Sequence, residues 1–217
     1  LRLNELPRHI ECFDNSNFQG TNAVAACVVF KNAKPSKKDY RHFNIKTVEG
    51  PDDYASMREV VFRRYRRLKE EGESLPQLVV IDGGKGQLSS AVESLEQLGL
   101  RGTIAIVGIA KRLEEIYYPE DPLPLHLDKT SETLRVMQYL RNEAHRFGIT
   151  HHRNKRSKST FKTALQDVPG IGKATSEKLL SEFKSVKRIR EASQEDLAKI
   201  IGESKAGAVK KWLENSN

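Results

Sequence analysis

The chain predicts an α/β domain, a mixed sheet flanked by helices, followed by a second, small all-α domain. Three observations carry this reading. Short β-branched runs alternate with stretches of helical periodicity through the first 155 residues; two of those runs end on an aspartate; and from residue 156 onward the strand-like runs give way to a helical repeat.

The first strand is His9–Phe13, closed by Asp14. Residues 23–30 are almost wholly apolar and read as a central strand, whereas Tyr40 to Ile45 alternates like a third strand with one face less buried. Between them, Lys31 to Asp39 is rich in lysine, contains Pro35 and Ser36, and reads as a hairpin loop. From Asp52 a helix is expected, with Met57, Val60, Val61, Tyr65 and Leu68 on one face. Its arginines, Arg58, Arg63, Arg64, Arg66 and Arg67, suit either phosphate or a solvated helix face. The run Leu78–Ile81 is a buried fourth strand ending on Asp82. Gly83, Gly84, Lys85, Gly86 and Gln87 then make a tight turn into a helix marked by Leu88, Ala91, Val92, Leu95 and Leu98.

A fifth strand is expected over Thr103–Ile109, and Glu114 to Leu127, with three prolines, is an excursion. A further helix starts near Ser131, a good N-cap, and its stripe of Leu134, Met137, Leu140, Ala144 and Phe147 puts His145 at the margin. From His151 to Lys162 the chain carries five Lys and Arg residues without an acid and reads as a basic linker holding the domain boundary. Beyond it, Val168-Pro169-Gly170-Ile171-Gly172-Lys173 returns in degraded form as Ile200-Ile201-Gly202-Glu203-Ser204-Lys205, an offset of 32 that also matches Leu165 with Leu197 and Leu180 with Trp212. Such a repeat predicts two similar helical hairpins packed together.

With 217 residues, 37% of them hydrophobic, the chain can form one domain with a sizeable core and a smaller companion. A net charge of +8 suits a polyanionic partner such as nucleic acid, although a merely basic protein would show it too. No apolar run approaches the roughly 18–20 residues of a membrane span, so no membrane partner is expected. The only cysteines, Cys12 and Cys27, lie inside strands without a disulfide or zinc spacing, which fits a reducing, cytoplasmic setting. The chain opens at Leu1, with neither a signal peptide nor an initiating methionine, and reads as part of something longer. The turn after Asp82 has neither the G-x-x-x-x-G-K-[ST] nor the G-x-G-x-x-G spacing, which argues against an ATP or dinucleotide cradle.

Open α/β sheets bind their ligands at the carboxyl ends of strands, where Asp14 and Asp82 both stand. Two such carboxylates form an oxygen-rich site for Mg²⁺ or Mn²⁺, while Asp82 alone would equally serve as a helix N-cap. The element order, with acids on the first and fourth strands, resembles the RNase H-like nuclease fold. There divalent metal offsets the charge of a phosphodiester and lowers the pKa of the attacking water.

Five blocks are similar to one family: Glu11 to Asp14, Ala25 to Phe30, Gly50 to Met57, Asp82 to Gln87, and Arg141 to Arg146. In order, and together with the terminal hairpins, they resemble the carboxyl-terminal half of the UvrC family, the nuclease subunits of bacterial nucleotide excision repair. The resemblance implies a metal-dependent DNA endonuclease that cuts on the 5′ side of a lesion, with damaged double-stranded DNA as partner and, in the full-length protein, a UvrB–DNA complex whose binding segment is not in this chain. It implies an Asp, Asp, His arrangement at Asp14, Asp82 and His145, with Asp14 and Asp82 holding metal. The family also has an important aspartate where Asp53 stands, and Asp52 and Asp53 are equally what a helix start wants. Glu59, one turn and a half further on, ranks behind Asp53 as a substitute for that acid. Asn142 stands where many members have aspartate.

His145 could bind metal or move a proton near pH 7, and Lys85 and Lys111 could approach the scissile phosphate as point charges. The first repeat resembles the hairpin of helix-hairpin-helix domains, with Gly170 and Gly172 admitting a phosphate to backbone amides and Lys173 adding charge. Gly202 and Lys205 are their counterparts in the second, where Ser204 and Glu203 predict a weaker site. The competing functions are a catalytically idle DNA-binding module and a structure-specific nuclease outside excision repair.

Overall fold

The computed structural model describes residues 1, 3, 5–16, 24–110 and 115–215, of which 151–156, 158–159 and 215 by backbone alone. The chain divides into two compact units, Leu1–His151 and His152–Asn217.

The first unit is a seven-stranded mixed sheet with helices. Its elements are β1 (His9–Ser16), β2 (Val24–Lys31), β3 (Lys34–Pro35), β4 (Arg41–Asn44), α1 (Asp53–Glu70), β5 (Leu78–Asp82), α2 (Lys85–Gln97), β6 (Ala105–Ile109) and β7 (Ile116–Tyr117), followed by α3 (Glu132–Gln166). The sheet order is β3-β2-β1-β5-β6-β7, with β4 also paired to β2. The hairpin β1–β2 is antiparallel, and β1, β5 and β6 run parallel, so α1 and α2 are the crossovers that parallel pairing requires. Every residue of β2 but the last is buried, and so is all of β5, as strands covered on both faces should be. The two-residue strands β3 and β7 were not expected from sequence, because a strand that short carries no periodicity. They sit at the ends of the sheet order, where brief strands limit edge pairing.

The apolar face of α1 supplies Met57, Val60, Val61, Tyr65 and Leu68 to the core, as its 3.6-residue spacing requires. The ring of Tyr65 meets Phe13 edge-on at 6.0 Å. The arginines of α1 are ion-paired: Arg58 with Glu93, Arg63 with Glu59, Arg64 with Glu11, Arg66 with Glu70 and Arg67 with Glu71. Their spacing serves the protein's own acids.

The basic stretch read as a linker lies within α3, a helix of 35 residues. Between Gly148 and Pro169 there is no helix breaker, and Lys and Arg are good helix formers, so the helix propagates until the residues before Pro169. In the second unit, α4 (Lys173–Phe183), α5 (Val186–Glu191), α6 (Gln194–Ile201) and α7 (Glu203–Asn215) surround a separate core. The repeat is visible as burial: Leu165 and Leu197 are both fully enclosed, and Leu180 and Trp212 are both half-buried.

Candidate metal centre

Asp14 and Asp82 are register partners in the parallel pair β1–β5, so their side chains leave the same face of the sheet side by side. Both are buried, at 1% and 3% exposure. Asp82 does not cap α2: the N-cap is Gly84, two residues on, and no side chain bonds there. The stripe of α3 behaves as expected, with Leu134, Met137, Leu140 and Ala144 buried, and His145 stands at its edge. That edge brings the imidazole across 131 residues of sequence to Asp14, with Nδ1 3.1 Å from Oδ2. One ligand atom each from Asp14, Asp82 and His145 lie within 4.8 Å of one another.

Two carboxylates held this close in a buried place repel each other, and a cation between them relieves the repulsion. Two carboxylate oxygens are a donor set that fits a divalent ion, and the imidazole, with Nδ1 turned to Asp14, stands beside them. Two residues before Asp14, on the same face, Cys12 lies fully buried. Burial first, then the charges of Asp82 and Asp14, push its thiol well above the usual range, against the opposing pull of Arg141. Arg141, four residues before His145 on α3, also rests its guanidinium on Asn142 Oδ1 at 3.2 Å. Sequence reasoning gave Arg141 no role, although its i, i+4 spacing to His145 was a signal.

Asp52 is the N-cap of α1, its Oδ1 accepting from the amides of Tyr54 and Ala55. Asp53, in the first turn, is half-buried and outside the triad. Its carbonyl accepts from Asn15 Nδ2 at 2.8 Å, which ties the start of α1 to the strand end that carries Asp14. Glu59 is occupied elsewhere, accepting from the amides of Lys46 and Thr47, from the Thr47 hydroxyl and from Arg63. Lys85 donates to the Pro122 carbonyl at 2.6 Å, with its ammonium 5.2 Å from the Tyr117 ring centroid. Lys111 lies outside the described residues.

In the second unit, Gly170 and Gly202 take matching left-handed backbones, φ +81° and +85°, which favour glycine at both hairpins. The first hairpin then extends to Gly172, the N-cap of α4, and a Cβ there would meet nothing within 4 Å. The second tightens: α7 begins at Glu203, so Ser204 lies inside the helix. Lys173 and Lys205 are exposed, and a hollow of about 220 Å³ lies between the start of α4 and the turn at Gly202.

A mixed sheet with paired carboxylates at adjoining strand ends, joined to two helical hairpins, defines an RNase H-like domain followed by a tandem helix-hairpin-helix domain. The chain belongs to the UvrC family: residues 1–149 match the UvrC RNAse H endonuclease domain, and residues 162–214 match the SAM-like helix-hairpin-helix tandem. It is 71% identical over 209 residues to UvrABC system protein C of Christiangramia forsetii, covering 96% of this chain and 35% of that one. With UvrABC system protein C of Flavobacterium johnsoniae it shares 66% identity over 206 residues, 95% of this chain and 34% of the other. The chain thus spans about a third of the length of the curated relatives it matches. Among solved structures, Ciona intestinalis endonuclease V in complex with inosine-containing DNA aligns at a TM-score of 0.36 and 20% identity, over 63% of this chain and 56% of that one. That likeness is too slight to carry an argument. Among the described residues, no helix is long and apolar enough to cross a membrane.

Proposed function

We propose that this chain is the part of a UvrC protein that makes the 5′-side incision at damaged DNA in nucleotide excision repair, in the bacterial cytoplasm. Asp14 and Asp82 hold a divalent metal, Mg²⁺ or Mn²⁺, and Asp53 assists from the start of α1. The bound ion would polarise the scissile phosphoryl group and favour hydroxide at neutral pH. The single observation that carries the reading is the side-by-side burial of Asp14 and Asp82 with His145 within 4.8 Å.

With Nδ1 turned to Asp14, His145 presents Nε2 on a side chain that is 48% exposed. With Nδ1 donating to the Asp14 carboxylate, Nε2 carries the lone pair and takes the proton of the attacking water. The hairpins grip DNA phosphates: backbone amides near Gly170, Gly172 and Gly202, with the charges of Lys173 and Lys205, hold DNA without reading sequence. Lys85 and Lys111 would add charge near the cut, Lys85 by leaving the Pro122 carbonyl. Recruitment by a UvrB–DNA complex belongs to the whole protein.

The test is incision of a lesion-bearing duplex with the other UvrABC components, together with a direct reading of metal. Mn²⁺ should raise the Tm of the parent chain and not that of Asp82→Ala. Near-normal incision by a folded Asp14→Ala or Asp82→Ala protein would overturn the assignment.

A further inference from the structure

We infer that Tyr54 is a platform on which a nucleobase of the bound DNA stacks beside the scissile phosphodiester. The inference rests on the endonuclease reading above and adds to it a contact with the base, where metal and hairpins deal only with phosphate.

Tyr54 is a large aromatic residue left 56% exposed, yet its place is tightly defined. Its ring lies against Gly86 so closely that a Cβ on that glycine would come within 2.5 Å of Cε1 and 2.8 Å of Cζ. Gly86 is four residues beyond Asp82, in the first turn of α2. The backbone of Tyr54 is fixed as well. Its amide donates to Asp52 Oδ1 at 3.0 Å, and the carbonyl of the preceding Asp53 is bonded to Asn15, the neighbour of Asp14. One aromatic ring is thus anchored to both strand ends that carry the paired carboxylates.

A ring held this way loses little freedom when a ligand covers its open side, which makes it a preorganised surface. A strand that sets a phosphodiester at Asp14 and Asp82 passes its next nucleotides over the starts of α1 and α2, where this ring lies. Every base has a π-face, so stacking tolerates any sequence, as an enzyme directed by damage rather than sequence requires. The absence of a Cβ at Gly86 is what leaves the ring its seat.

The test uses the 217-residue chain and bubble DNA carrying 2-aminopurine at successive positions of one strand, with divalent metal withheld so that the DNA stays intact. The parent should quench the probe at one or two adjacent positions. Tyr54→Ala should lose most of that quenching and bind about tenfold more weakly, in the range for one lost stacked base. Tyr54→Phe should restore both to within about twofold of the parent, because the ring and not the hydroxyl makes the contact. Gly86→Ala should reduce quenching although Tyr54 is still present, since the added methyl displaces the ring. Unchanged quenching by a folded Tyr54→Ala chain overturns the proposal, as does Tyr54→Phe falling as far as Tyr54→Ala. Mn²⁺, a lesion-bearing duplex and the other UvrABC components are then added. A parent that quenches the bubble probe but never incises under those conditions contradicts the endonuclease reading and leaves the stacking in place. Nicking by the parent, with normal quenching by Tyr54→Ala, contradicts the stacking alone.

Discussion

Glu11 and Asp14 lie three residues apart on β1, both buried, and their surroundings differ in kind. Glu11, on one face of the sheet, is fully enclosed, and protein groups answer its charge. Arg64 donates to both carboxylate oxygens at 2.6 and 3.2 Å, Tyr65 donates its hydroxyl at 3.0 Å, and His9 Nε2 lies 3.3 Å away. Burial pushes the Glu11 carboxyl up, but the bonds from His9 and Arg64 outweigh it and hold the pKa at about 2. Asp14, on the opposite face, is set beside a second carboxylate and an imidazole, an arrangement that concentrates negative charge. A carboxylate closed off by its own cation holds α1 to the sheet; a carboxylate set beside a second carboxylate is, under the proposed function, a ligand for divalent metal.

The sharpest break of this comparison is Asp82→Ala. If the proposed function holds, the change removes a metal ligand and with it several kcal/mol of transition-state charge stabilisation, so incision should fall at least about a thousandfold while the fold survives. Circular dichroism and a nicking assay with the partner proteins check it together. Arg64→Ala should do the reverse. It strands a buried Glu11 charge and should cost about 3–5 kcal/mol of stability by urea unfolding, while the protein that remains folded keeps its metal affinity. Equal damage to metal binding by both variants would erase the distinction between the two faces.

His145→Ala should lower the single-turnover incision rate by about 10²–10⁴-fold and DNA affinity far less, because binding is spread over many basic groups. Matching losses in both would make the histidine structural. Acid should expose the Glu11 network as well. The group's pKa is depressed from 4.5 to about 2, so its contribution is complete above about pH 4.5 and is lost as pH falls through about 2. The gap in Tm between parent and Glu11→Gln should therefore close over that interval.

The smallest effect is expected in the hairpins. Gly172→Val meets open space, so it should cost only the loss of a favoured N-cap, about 1 kcal/mol or less, while weakening DNA binding several-fold and flattening its salt dependence. Gly170→Val instead forces a β-branched residue to φ +81° and should cost roughly 1–2 kcal/mol of stability as well. Ser204, within α7, should tolerate the equivalent change with little loss of affinity.

What the sequence by itself determined was everything with a local cause. The β-branched runs that end at Asp14 and Asp82, the stripe that leaves His145 at a helix margin, and the 32-residue repeat all depend on neighbours within a few turns of chain. The basic run of 151–162 reads as a linker because it holds charge without acids, although nothing in it stops a helix, and α3 runs through it. Only the tertiary structure decided which residues meet. The parallel register setting Asp14 against Asp82, the reach of His145 across 131 residues, the partnership of Glu11 with Arg64 and the seat of Tyr54 on Gly86 are long-range contacts. They follow from how the strands pair and the helices pack on them, and those choices minimise the free energy of the whole core. No window of sequence contains that sum.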